Sequence, residues 1–305
     1  MNNLFSRVFM VFLLLAAGFA RGAEPKISVV TTIFPPYDFA RAVGGDRVEL
    51  KMLLPPGAES HSFEPTPQDL IAIQKSDLFI YGGGESDTWI KSVLQSLDGK
   101  KFKALSMMEI VEPVAEETVE GMQAEAEEEV EYDEHVWTSP RNAKKIAQAI
   151  SAALCELDAA SADFYRERTA AYAAQLDQLD ADFAEAVKNG KRKVLIFGDR
   201  FPFRYFVDAY GLKYFAAFPG CSTETEASAK TVAFLMRKVR DEKIPVVFYL
   251  EMSNQKMADT IVEATGAKKL LFHACHNIGK KEWLSGVTYL DLMRQNLKNL
   301  RAALE

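Results

Sequence analysis

The chain has 305 residues, 48% of them hydrophobic, and a formal charge of -7. That length and apolar content support a large core in one big domain or two lobes. The acidic balance excludes nucleic acid as a partner, because a phosphate backbone calls for a basic footprint.

The N-terminus reads MNNLFSRVFMVFLLLAAGFARGAEPK. Arg7 gives a positive start, Phe9 to Phe19 is apolar, and small residues follow at Ala20 and Ala23. This predicts a secretory signal peptide over residues 1–23, with an apolar core too short to span a bilayer. No cysteine lies near the cleavage region, so the expectation is a soluble protein, periplasmic or secreted.

From residue 24 the pattern alternates. KISVVTT reads as a strand, PPYDFARAVGG as a helix closed by glycine, and RVELKMLL as a second strand. TPQDLIAIQKSD reads as a helix with Thr66 as N-cap and Pro67 in its first turn. LFIYGGG, DTWIKSVLQSL and KFKALSM continue as strand, helix, strand. Such alternation predicts an α/β lobe with a mostly parallel sheet over residues 24–158.

Inside that lobe, residues 109–134 carry acidic residues and no Lys or Arg. A run of this kind repels itself and predicts a solvated, mobile loop, either a plain insertion or a weak carboxylate antenna for cations.

A long helical stretch follows from Pro140 to about Lys188, weakly broken near Asp158. Tyr165, Tyr172, Leu176, Leu179, Phe183 and Val187 recur on one face, and Asn189-Gly190 closes the end. Residues 159–189 are therefore read as a connecting helix long enough to brace two lobes. Residues 190–305 repeat the alternation. Strands KVLIF, KYFAAF, PVVFYL and KKLLF are followed by helices near Pro202, Glu226 and Asn254. A last helix places Val287, Leu290, Met293, Leu297, Leu300 and Leu304 on one face. The fold class is α/β: two Rossmann-like lobes joined by a long rigid helix, with no internal sequence repeat.

The chain has only 4 histidines. His61 lies in the proline-bounded stretch PGAESHSFEPTP, between Glu59 and Glu64, which read as solvated neighbours, with contact to a bound metal as the alternative for Glu59 where a second-lobe ligand is missing. His135 lies in DEHVWTSPRNA, while His273 and His276 share LLFHACHNIG. At least three occupy loops at strand ends, where parallel sheets collect ligands. Converging imidazoles suit zinc. HExxH, GxSxG, Walker and GxGxxG motifs are absent. A two-lobed zinc hydrolase is the alternative, and it needs an open coordination position and a base such as Asp199, Glu59 or Glu251. Of the cysteines, Cys155 reads as a buried free thiol in a helix. Cys221 and Cys275 either pair or stay free.

PGAESHSFEPTP and DEHVWTSPRNA resemble the two histidine signatures of the zinc/manganese-type solute-binding proteins of ABC transporters, the metal-binding cluster called A-I. The resemblance covers the mature chain. It implies a monomeric extracytoplasmic receptor with no enzymatic activity, which holds one metal ion between the lobes and delivers it to a membrane permease. It makes His61 and His135 first-lobe ligands. The family's last ligand position falls at Cys275–His276, so His276 is its substitute, and Cys275 could also ligate as a thiolate unless it is paired with Cys221. The family's remaining ligand position falls at FGDRFPF. Arg200 there cannot bind a cation, whereas Asp199 can. The expected metal set is His61, His135, His276 and Asp199, with Glu251 or water as alternatives to Asp199. Arg200 would pair with Asp199 or Glu251. Zn2+ is the expected cargo, with Mn2+ or Fe2+ capture, or an adhesin role, as alternatives on the same scaffold. His273 is left out of the site.

Overall fold

A computed structural model describes residues 26–59, 63–84, 87–96, 102–122, 131–220 and 227–305. The expected export signal, His61 and Cys221 lie outside those residues. Among the described residues no helix is long and apolar enough to cross a membrane.

The first lobe runs β1 (Ile27–Thr31), α1 (Phe34–Gly44), β2 (Val48–Met52), α2 (Pro67–Lys75), β3 (Leu78–Tyr81), α3 (Thr88–Ser96) and β4 (Lys103–Ser106). The expected cap of α2 is present in full: the Thr66 hydroxyl accepts from Asp69 N–H, and the Asp69 carboxylate accepts from Thr66 N–H. The second lobe runs β5 (Val194–Phe201), α6 (Arg204–Tyr210), β6 (Lys213–Pro219), α7 (Ala229–Asp241), β7 (Val246–Tyr249), α8 (Lys256–Thr265) and β8 (Lys268–Leu271). The helix α9 (Lys280–Ser285) follows; it is too short for its sequence to show a period. The chain ends in α10 (Tyr289–Leu304). Val287 precedes α10 instead of starting its apolar face, because Thr288 caps the helix.

Both sheets are parallel, in the orders β2-β1-β3-β4 and β6-β5-β7-β8. The two lobes thus share one winding, which the sequence does not display as a repeat. In each lobe the order reverses beside the first strand, opening a crevice at the carboxyl ends of β1 and β3, and of β5 and β7.

α4 (Pro140–Leu157) packs on α1 of the first lobe, and after a 3-10 turn at 159–161 α5 (Ala162–Asn189) links the two lobes. The 28 residues of α5 extend about 42 Å. All six apolar positions expected on its face are buried, each contributing roughly 1.5–3 kcal/mol of burial energy. α5 packs against α1 and α4 of the first half and against α10 of the second. A single core cluster runs from β1 through α5 to α10, so the lobes share a spine. Gly190, after α5, has ordinary extended angles. It is required because a Cβ would stand 2.8 Å from Leu304 Cβ, where the chain end packs.

The acidic segment differs from a freely solvated loop over its described residues. Ala115 and Tyr132 form an antiparallel bridge, Glu116 N–H donates to Glu131 O, and Asp133 N–H donates to Val114 O. Val114, Val119 and Met122 pack on the core, and Glu117 and Glu120 pair with Arg204 and Lys238 of the second lobe. Counter-charges and apolar residues interspersed among the glutamates tie down both arms; residues 123–130 lie outside the description. Cys155 is a free thiol as expected, but half-buried, since α4 presents that face to the outside of the bundle.

Candidate metal centre

A cavity of about 300 Å³ opens between the lobes. Its walls include Glu59 and His135 from the first lobe and Asp199, Arg200, Glu251, His276 and Asn277 from the second.

His135 sits where the acidic segment ends and a 3-10 turn at Val136–Thr138 begins. Its side chain is buried, and Asp133 Oδ1 accepts from both its backbone N–H (2.7 Å) and its Nδ1–H (2.8 Å). A carboxylate on Nδ1 fixes the ring and makes Nε2 the lone-pair nitrogen, the arrangement found behind metal-binding histidines. Burial pulls the pKa of His135 down, but Asp133, Glu134 and Glu116 outweigh it, and the net shift is upward. Asp133 is itself fully buried, and Tyr205 from α6 donates its hydroxyl to the Asp133 carbonyl (2.9 Å).

His276 lies in the loop after β8. Its ring meets that of His135 edge-on at a centroid distance of 5.2 Å, and Trp137 contacts both rings at 5.4 and 5.1 Å. Cys275 reaches this place through a left-handed backbone (φ 61°). The carboxylate of Glu251 spans the bend, accepting from Ala274 N–H (2.8 Å) and His276 N–H (3.2 Å). Burial raises the pKa of Glu251 to about 7, against those hydrogen bonds. Glu251 therefore serves as a brace for the His276 loop.

Asp199 lies within β5 instead of after it. The β5–β6 register slips between Phe197 and Arg200, where one extra residue makes a bulge. A bulge re-aims side chains at a strand end. Here Asp199 Oδ2 accepts from Leu250 N–H (3.1 Å) and Oδ1 from Arg200 N–H (3.0 Å). Burial raises its pKa, while hydrogen bonds from Ser253, Leu250 and Arg200 oppose the rise. Asp199 borders the cavity with its oxygens already engaged by the protein.

Arg200 forms its ion pair with Glu59, across the cleft, at 3.6 Å, rather than with Asp199 or Glu251. Asp199 is engaged by the backbone N–H groups of Leu250 and Arg200, and Glu251 is committed to its loop. Glu59 is thus more than a solvated neighbour.

Cys275 is a free thiol, fully buried, and burial holds its pKa well above the usual range. It is a neutral hydrogen-bond donor to His273 O, not a thiolate. His273 is buried, with Nδ1 accepting from Cys275 N–H at 2.8 Å, and burial lowers its pKa to about 4. Its 3.4 Å approach to Glu251 is therefore no ion pair at neutral pH.

The structure thus brings together His135, His276 and Asp199 around one cavity, while His61 lies two residues beyond the described Glu59. Among the described residues no group of three His, Cys, Asp or Glu side chains suffices to hold a metal. Sequence reasoning missed Asp133 and Asn277. The spacing in DEHVW carried a signal for Asp133, an acid two residues before a histidine. Nothing local marked Asn277.

The family described as zinc-uptake complex component A, periplasmic (ZnuA), matches residues 29–303. The high-affinity zinc uptake system protein ZnuA of Bacillus subtilis (strain 168) is 31% identical over 303 residues, covering 96% of this chain and 94% of that one. The zinc-binding lipoprotein AdcA of Streptococcus pneumoniae (strain ATCC BAA-255 / R6) is 30% identical over 297 residues, 94% of this chain but 58% of AdcA. Among solved structures, the Zn(II)-bound ZnuA-like domain of Streptococcus pneumoniae AdcA superposes with a TM-score of 0.77 at 29% identity. That match covers 92% of this chain and 99% of the domain. The laminin-binding protein Lmb of Streptococcus agalactiae, described as bifunctional with adhesin and metal transporting activity, superposes at 0.75 with 27% identity, over 92% and 100% of the two chains. With nearly its whole length matched, two parallel-sheet lobes on a long helix and histidines meeting in the cleft, this chain belongs to the ZnuA family of periplasmic zinc-uptake components.

Proposed function

We propose that this protein captures Zn2+ outside the cytoplasm, in the cleft between its lobes, and delivers it to the membrane permease of an ABC transporter. The observation that carries the reading is the meeting of His135 and His276, one from each half of the chain, ring against ring at 5.2 Å. Asp133 holds the first ring and Glu251 the loop of the second. The proposed ligands are His61, His135 and His276, with Asp199 or water completing the shell. Imidazole-rich, four-coordinate sites favour zinc over manganese or iron, which recruit more oxygen donors. The protein acts as a monomer, exported by residues 1–23, and performs no reaction on its cargo. A hydrolase would need a free base beside a metal-bound water. Asp199 and Glu251 both accept backbone N–H groups.

His135→Ala and His276→Ala should each weaken zinc binding by at least about 100-fold, more than the loss of an outer partner costs. Competition against a chromophoric chelator measures this, with Mn2+ run in parallel. Wild-type affinity in both variants would overturn the assignment.

A further inference from the structure

The loop that leads from β2 toward His61 is held by the other lobe. Asn277, 2% exposed, donates through Nδ2 to both Pro55 O (2.8 Å) and Ala58 O (2.9 Å), and its Oδ1 accepts from Ile278 N–H (2.8 Å). Gly57 N–H donates to Ile278 O (2.9 Å), with Gly57 in the left-handed region at φ 86°. The Glu59 carboxylate, next along, is paired with Arg200. All these contacts come from the second lobe, and Asn277 directly follows His276 in the chain. One residue therefore ties the His276 loop to the approach to His61.

Resting on the zinc-receptor reading above, we propose that Asn277 and Arg200 are positioning residues for the metal. They grip residues 55–59 and so set the spacing between the first-lobe and second-lobe histidines. A tetrahedral zinc with bonds of about 2.0–2.1 Å requires its nitrogens to converge closely. Loop residues that are not already ordered must be ordered when the ion binds, which lowers affinity. An amide is suited to this grip. Its two N–H groups satisfy two carbonyls of the facing loop while its oxygen caps its own loop. Arg200 then contributes without coordinating: it holds Glu59 two residues ahead of His61.

The test compares wild type, Asn277→Ala, Arg200→Gln, Glu59→Gln and the Arg200→Gln/Glu59→Gln double variant, with Zn2+ alone as probe. Affinity comes from chelator competition, and the zinc-induced rise in melting temperature is recorded beside it. N277A should lose about 10–100-fold in affinity, the range for partners that orient ligands, and its zinc-induced rise should shrink. R200Q and E59Q should each lose up to about fivefold, as for a partly exposed ion pair, and the double variant should lose no more than either single. N277A with wild-type affinity overturns the proposal. So does a lower melting temperature of the metal-free protein with an unchanged zinc-induced rise, which marks a purely structural role. If N277A does not fold, the Arg200 and Glu59 variants decide: equal, non-additive losses support the grip, and no loss or independent losses overturn it. His135→Ala serves as the control. If it binds zinc like wild type, the receptor site itself is misassigned, a different failure from that of the grip.

Discussion

Single side chains in this cleft are set by specific hydrogen-bonded and charged partners. His135 depends on Asp133, and His276 depends on Glu251 through its backbone N–H. Behind them lies a pocket of about 20 Å³ lined by Asp87, Glu134, Trp137 and His276. Burial, reinforced by the charge of Glu134, raises the Asp87 pKa to about 7, although Gly82 and Gly83 donate N–H groups to it. Because the folded value exceeds the ordinary 3.8, the folded state holds this proton more tightly. The associated stability is complete below the ordinary value and is lost as pH rises through about 7. Asp87→Asn keeps an acceptor for the two glycine N–H groups and removes the ionisation. Its melting temperature relative to wild type should therefore be higher at pH 8.5 than at pH 5, by about 2 °C or more. Thermal melts at the two pH values check this, and an equal difference at both would sink the argument.

At the scale of elements, the decisive feature is the bulge in β5. It moves Asp199 into the strand and sends Arg200 across the cleft. Gly198 permits it: a Cβ there would stand 2.7 Å from Ala258 Cα and 2.9 Å from Ala258 N, the backbone of α8. Backbone cannot give way as a flexible side chain can. Gly198→Ala should destabilise the protein by about 1–3 kcal/mol, the usual cost of overpacking, and push α8 away from β5. Urea denaturation measures the first effect. An unchanged midpoint would show that α8 is not held at this contact. The helices were easier to read. The Thr66 cap, the Pro140 start and the face of α5 follow from local chemistry and period, whereas a bulge arises from the pairing of β5 with β6, distant in sequence.

At the scale of the whole molecule, the acidic segment of the first lobe leans on the second. Its arms are fixed by the Ala115–Tyr132 bridge and by Glu117 and Glu120 reaching Arg204 and Lys238. Asp133, which orients His135, is anchored by Tyr205 outside the 123–130 tip. Replacing residues 123–130 by a short Gly-Ser link should thus change zinc affinity by less than about threefold, well under the loss expected for an orienting partner. A larger loss in chelator competition would mean that the tip supplies ligands. The sequence by itself determined the two α/β lobes, the bracing helix and the resemblance carried by His61 and His135, because periodicity, caps and short motifs are local. Only the tertiary structure decided that Glu59 meets Arg200, that Glu251 braces a loop, and that Asn277 ties the lobes together. Those contacts join residues up to 222 positions apart, and no local pattern encodes which distant carbonyl a buried amide will find.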